Sequence, residues 1–150
     1  MATSYRLEGL ALAVIIVLSS NGLAGQLFLN VYVDDTIANK ALVVGNVDDP
    51  SGLPFLNTSD QIHRDNGQLY AVCDSLLKRD GQSWMLEFPA RGYYDEYHAV
   101  FYIPGGFEFQ EINCTQGLEF FSTTYNGSLV LDVQGYELFD PAVYVSYGMA

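Results

Sequence analysis

The sequence predicts an all-β protein: a single antiparallel β-sandwich of immunoglobulin-like architecture behind an N-terminal signal peptide. Three observations carry this. Beyond the first 24 residues helical periodicity is almost absent, and short segments alternate apolar and polar residues with a period of two. Turn chemistry recurs about every 8–12 residues, the spacing of a sandwich. Aromatic residues make up 14% of the chain, with eleven Tyr and nine Phe, and these types favour pleated, half-buried surfaces. A chain of 150 residues holds one domain with a core large enough to stand alone.

The N-terminus reads as targeting. A short polar lead carries Arg6 and Glu8, Leu10 to Leu18 (LALAVIIVL) is unbroken apolar sequence, and Gly22 and Ala24 are small residues two apart. This is the pattern of a secretory signal peptide cleaved after Ala24. The domain organisation is therefore residues 1–24 as signal and residues 25–150 as sandwich. An uncleaved anchor is the rival, but nine apolar residues fall short of the about 20 a bilayer span requires.

The strands follow in order. In Leu27 to Val33 (LFLNVYV), Leu27, Leu29, Val31 and Val33 oppose Phe28, Asn30 and Tyr32. DDTIANK turns the chain into a second strand, Ala41 to Val47. Asp48 to Asn66 is a long turn-rich connection, with Leu53, Phe55, Leu56 and Ile62 expected to pin it to the core. Gln68 to Leu77 resumes strand character, and Asp80-Gly81 supplies the positive φ of a tight hairpin. Ser83 to Phe88 returns with Trp84, Leu86 and Phe88 on one face. Tyr97 to Ile103, Phe107 to Cys114, Leu118 to Thr124, Ser128 to Val133 and Ala142 to Tyr147 complete the set. Turns are expected at Pro104-Gly105-Gly106, Gln116-Gly117, Asn126-Gly127 and Phe139-Asp140-Pro141.

Charge excludes some functions. Six Lys and Arg face eighteen Asp and Glu, a net charge of −12. Such a surface repels nucleic-acid phosphates and anionic lipid headgroups, and suits cations, basic partners or high salt. Two further features fit export. Asn57, Asn113 and Asn126 each open an N-x-S/T sequon, a glycosylation acceptor in an exported chain. Cys73 and Cys114 are the two cysteines, and an even pair in an exported chain predicts one disulfide. Closing that loop would add about 3–4 kcal/mol. Two separate buried thiols are the alternative.

The residues with chemistry cluster at YYDEYH, Tyr93 to His98. In a strand Glu96 and His98 share a face, on the order of 7 Å apart between Cα atoms. They could act as an acid–base pair, with Glu96 fixing the imidazole tautomer, in a secreted hydrolase using Asp95, Glu96 and His98. No serine sits in a Gly-x-Ser-x-Gly turn to serve as nucleophile. The simpler reading is a strand whose first residues are wet and whose later ones are core. His63 and His98 with Asp95 or Glu96 make a sparse metal set. Asp34, Asp35, Asp48, Asp49 and Asp60 offer loop oxygens for Ca²⁺, yet no Asp-x-Asp-x-Asp-Gly loop appears and acids in turns are commonly turn formers. No motif implies a cofactor.

ALVVGNVDDPSGLPF, QLYAVCDSLLKRDGQSWMLEF, YYDEYHAVFYIPGGFEFQEI, NGSLVLDV and VYVSYGM occur in that order. The series resembles exported β-sandwich domains of archaeal surface proteins. The carrying features are the hairpin from Leu77 to Trp84, the aromatic strand ending at Ile103-Pro104-Gly105, and the last strand ending near Tyr147. In several such proteins a transmembrane helix and a cytoplasmic winged-helix domain follow. The resemblance implies a sensing or interaction domain outside the cell; membrane attachment is expected only through the N-terminal segment if that stays uncleaved, or through an anchor beyond residue 150. It implies no catalytic residues. The function expected is therefore non-catalytic: an extracellular or outward-facing domain that meets a protein or cell-surface partner through Tyr93, Tyr94, Glu96 and His98. The secreted hydrolase and a Ca²⁺-stabilised adhesive module are the alternatives.

Overall fold

The computed structural model describes residues 25–33, 40–59 and 61–150, the side chains of Gln61 and His63 excepted. The expected signal peptide, residues 1–24, lies outside the described residues, as do Asp34, Asp35 and Asp60. The described residues form eleven strands and no α-helix. In chain order these are β1 (Gly25–Val33), β2 (Ala41–Val47), β3 (Gln61–Asp65), β4 (Gln68–Cys73), β5 (Leu77–Asp80) and β6 (Ser83–Pro89). Then come β7 (Tyr93–Ile103), β8 (Phe107–Cys114), β9 (Glu119–Tyr125), β10 (Ser128–Phe139) and β11 (Ala142–Met149).

They make two packed sheets. The larger runs β9-β10-β7-β1-β2-β4-β3 and the smaller β5-β6-β11-β8. All described pairs are antiparallel except β1–β7, which is parallel. That is one departure from the expected all-antiparallel sandwich. Alternation puts Leu27, Leu29 and Val31 inside, each at most 1% exposed, and leaves Phe28 and Tyr32 outside at 49% and 41%. Between the sheets, Phe88 of β6 meets Phe101 of β7 edge-on at 5.4 Å and Phe55 of the long connection at 5.4 Å. Each such buried ring contributes about 1.5–3 kcal/mol by leaving water. Leu53, Phe55 and Leu56 are buried as expected, whereas Ile62, on the edge strand β3, is exposed. Trp84 packs only partly against the core, with the Arg79 guanidinium 5.1 Å above its ring.

The connection after β2 is held by its own acids. Asp48 Oδ2 accepts from the Gln26 amide at 3.0 Å. Asp49 Oδ1 accepts from the Ser51 amide and hydroxyl, which cap a turn over Pro50–Gly52 and hold this carboxyl below its usual range. Arg91 then donates its amide to Gly52 O at 2.7 Å, pinning the loop to the end of β6.

Several boundaries differ from expectation for local reasons. Asn66 and Gly67, at φ 51° and 81°, close a two-residue hairpin, which turns Gln61–Asp65 into a strand rather than loop. The expected strand over Gln68 to Leu77 breaks at Asp74–Leu76, where the chain crosses to the smaller sheet as β5. β10 runs on past Val133 to Phe139 because Gly135 admits the close approach of Leu118 and Leu138; a Cβ there would lie 2.9 and 2.8 Å from their methyl groups.

The expected disulfide is absent: no bond joins Cys73 to Cys114. Cys73 ends β4, which leads into β5 at one side of the sandwich, while Cys114 ends β8 at the opposite edge of the smaller sheet. The Cys73 sulfur instead lies 3.1 Å from Ser59 Oγ, and partial burial pushes the Cys114 thiol up. Among the described residues the Tyr97 hydroxyl is buried without a hydrogen-bond partner, and burial raises its pKa strongly.

Gly45 sets how closely β2 lies on β1. Its φ is +151°, and an added Cβ would sit 2.1 Å from Phe28 O and 3.0 Å from Leu29 Cα. Both obstacles are backbone in the middle of the larger sheet. Gly45→Ala is therefore expected to cost at least about 2 kcal/mol, read as a lower urea midpoint at unchanged slope. An unchanged midpoint would show that β2 does not pack at this distance.

Candidate functional site

The outer face of the larger sheet, away from the smaller one, carries a grouping of aromatic and polar side chains. It is built across the parallel pair β1–β7. Phe28 registers with His98, Asn30 with Val100 and Tyr32 with Tyr102. On the other side of β7, His98 registers with Gln134, Val100 with Asp132 and Tyr102 with Val130. The Phe28 and His98 rings lie 4.6 Å apart and tilted by 48°. The Tyr32 and Tyr102 rings stack at 4.6 Å and 9°. Val100 and Val130, on the same face, are only 7% and 8% exposed.

His98 has an acid partner that sequence neighbours did not suggest. Its Nε2 lies 2.9 Å from Asp132 Oδ1, one diagonal step across β10. Gln134 donates its amide to the same oxygen at 3.2 Å. The pair is part-buried, with side-chain exposures of 28% and 23%, so the ring is held on two sides: by Phe28 and by the carboxylate. Burial, with the neighbouring Tyr32, Asp132 and Tyr125, pushes the Tyr102 hydroxyl up. A shallow depression of about 220 Å³ opens beside His98, lined by Phe28, Glu96, Gln134 and Tyr136 among others.

The expected patch is only partly assembled. Glu96 is exposed, and it flanks His98 on this face. Tyr93 is half-buried on the same side, with its ring 4.8 Å from that of exposed Phe139. Burial, then Asp95 and Glu137, raise its pKa. Tyr94 does not belong to the patch. It is 4% exposed, its hydroxyl donates to Arg91 O, and burial pushes that hydroxyl up to about 12. The cause is a bulge: β1 pairs Gly25 with Tyr94 but Gln26 with Glu96, leaving Asp95 as the extra residue. Alternation therefore slips by one, and Tyr94 and Tyr97 both face inward.

The metal set does not form around His98. His63 and His98 stand on β3 and β7, four strand spacings apart in one sheet, a backbone separation of roughly 19 Å. Among the described residues no group of three or more His, Cys, Asp or Glu is placed to hold a metal ion. Asp48 and Asp49 are engaged in the loop bonds described above. The three sequon asparagines, Asn57, Asn113 and Asn126, are all exposed. Among the described residues no helix is long and apolar enough to cross a membrane.

Phe28, Tyr32, Tyr102 and Asp132 are the site residues that sequence reasoning missed. A signal was present: aromatics at the outward positions of a half-buried strand. The Tyr32–Tyr102 stack, half open to water, is expected to contribute a coupling of about 0.5–1.5 kcal/mol in a double-mutant cycle of Tyr32→Ala and Tyr102→Ala. Additive effects of the two changes would mean the rings do not stack in solution.

Compared with known protein families and with curated proteins, the sequence matches no family model and no curated relative, so the reading of this face rests on its geometry.

Proposed function

We propose that this chain is a non-catalytic interaction domain, exported and held facing outside the cell, that meets a protein partner through the outer face of its larger sheet. The observation that carries the reading is the pair of ring contacts across β1 and β7, Phe28–His98 and Tyr32–Tyr102, half open to water on a sheet face. Rigid aromatics with polar groups beside them are the composition of an interface centre. They give large contact area at small cost in side-chain entropy. The immunoglobulin-like description of the fold belongs to the same proposal; the two packed sheets support it. Export rests on the signal-like sequence of residues 1–24 and on the likeness to archaeal surface domains, with the exposed sequons in agreement.

A second reading has one observation in its favour. The His98–Asp132 contact at 2.9 Å fixes an imidazole at the rim of a depression, as a general base requires, and Glu96 stands beside it. A hydrolase built on these groups would lose turnover in His98→Ala.

One experiment separates the two. A photo-crosslinking phenylalanine is placed at residue 32, and at exposed residue 80 as control, in the full chain expressed in its own cells. Position 32 is expected to give a discrete adduct that excess unlabelled protein displaces, and position 80 none. Equal labelling at both positions, or none at either, removes this face as a docking surface. Turnover of any ester, peptide or glycoside by wild type that His98→Ala abolishes would install the hydrolase reading instead.

A further inference from the structure

The larger sheet ends in a strand built unlike the other three edges. Among the described residues β9 bonds only to β10, and all seven of its residues are exposed. In an antiparallel pair every second residue turns its N–H and C=O away from its partner, so β9 presents an open ladder. The other edges are guarded. β3 carries Arg64 and Asp65, and β5 carries Lys78, Arg79 and Asp80. β8 carries Glu108 and Glu111 and has a register break at Ser146/Tyr147 of its partner. Charges and bulges of this kind discourage strand addition. β9 has neither in its body: its register with β10 is unbroken from Glu119 to Tyr125, and Phe120 to Tyr125 (FFSTTY) holds no charge and no proline. Six uncharged residues, five of them aromatic or β-branched, on an edge with unbroken register form a template for another strand.

The inner side of this edge is open as well. Phe120 registers with Val133, which is fully buried, yet Phe120 is 45% exposed. The smaller sheet stops short of covering it.

Charge says what fits. From Gly92 to Ala150 the chain contains eight Asp and Glu and no Lys or Arg. Glu119 heads β9, Asp132 registers with Phe121 on the neighbouring strand, and Glu108 and Glu111 lie on β8. A second copy would bring the same acidic half to the edge, each chain at net −12, and like charge opposes that approach.

We propose that β9 is a strand-acceptor edge for an extended, basic segment of another protein. The segment adds next to β9 as an eighth strand, with alternating β-branched residues along its length and a Lys or Arg facing Glu119. Main-chain hydrogen bonds supply the affinity, and the cross-strand pairs with Glu119, Phe121 and Thr123 supply the selectivity. This edge is independent of the ring contacts on β1 and β7, so either surface can fail without the other.

The test uses the full chain and two dye-labelled, end-blocked peptides, KVTVTVK and EVTVTVE, followed by fluorescence anisotropy at low salt. KVTVTVK is expected to bind, and EVTVTVE to bind at least about tenfold more weakly. Of the neighbours Ser122 and Thr123, one aims its N–H at the open edge. Ser122→Pro and Thr123→Pro are therefore both made; the one that keeps the wild-type melting temperature is expected to lose binding. Thr123→Lys, which leaves the ladder with β10 intact, is expected to weaken KVTVTVK at least about tenfold by charge repulsion. No binding of KVTVTVK, equal binding of the two peptides, or binding unchanged in Thr123→Lys overturns the proposal. Self-association of the wild type that Thr123→Lys abolishes also overturns it, and makes a second copy the occupant.

Discussion

The parallel pairing of β1 with β7 is the contact on which the larger sheet depends. On one side of β1 lie β2, β4 and β3, all from residues 41–73; on the other lie β7, β10 and β9, all from beyond residue 92. Among the described strands β1 alone hydrogen-bonds to both groups. A parallel neighbour cannot be reached by a tight turn, and here the connection from β1 to β7 includes every strand from β2 to β6. The sheet therefore closes only after the first half of the chain has been laid down, the kind of non-local contact that slows folding. Its inner face, Leu27, Leu29 and Val31, is fully packed, and its outer face carries half of each ring pair at the candidate site. Stability and surface chemistry thus share one seam.

How much of this was legible depended on whether the cause was local. Alternation in LFLNVYV sorted Leu27, Leu29 and Val31 from Phe28 and Tyr32 correctly, and Phe107–Cys114 was bounded as found. Asn126-Gly127 marked a true hairpin because its positive φ values are a property of those two residues. The same logic held at Asn66-Gly67 and was missed, because polar QIHRD before it resembles loop more than strand. Parallel pairing leaves no local mark at all. Nor does the bulge at Asp95, which is set by how β7 matches β1; it took Tyr94 out of the expected patch. The disulfide failed for the same reason: an even cysteine count says nothing about which side of a sandwich each residue reaches.

At the candidate site, Glu96 and His98 could be read as face-mates from spacing alone. Asp132 could not, since it lies 34 residues away in sequence and meets His98 only through the β7–β10 register. Charge was legible in total but not in distribution. The acidic excess gathers on strands β7 to β11, whereas every lysine and arginine among the described residues lies between residues 40 and 91. Two neighbouring surfaces, an aromatic face and an unguarded edge, are therefore both set in an acidic environment, the charge condition on which the proposed basic partner rests.

The place of β1 in the middle of the larger sheet, bonded to β7 in parallel, is open to measurement. Amide hydrogen exchange resolved by NMR tests it directly. The amides of Leu29, Val31, Ala99 and Phe101 are expected to fall in one slowest class, exchanging only on global unfolding, while β9 and β3 exchange first. If the β1 amides exchanged as fast as those edge strands while β7 stayed protected, β1 would not bridge the two halves, and the site built on its seam would not exist.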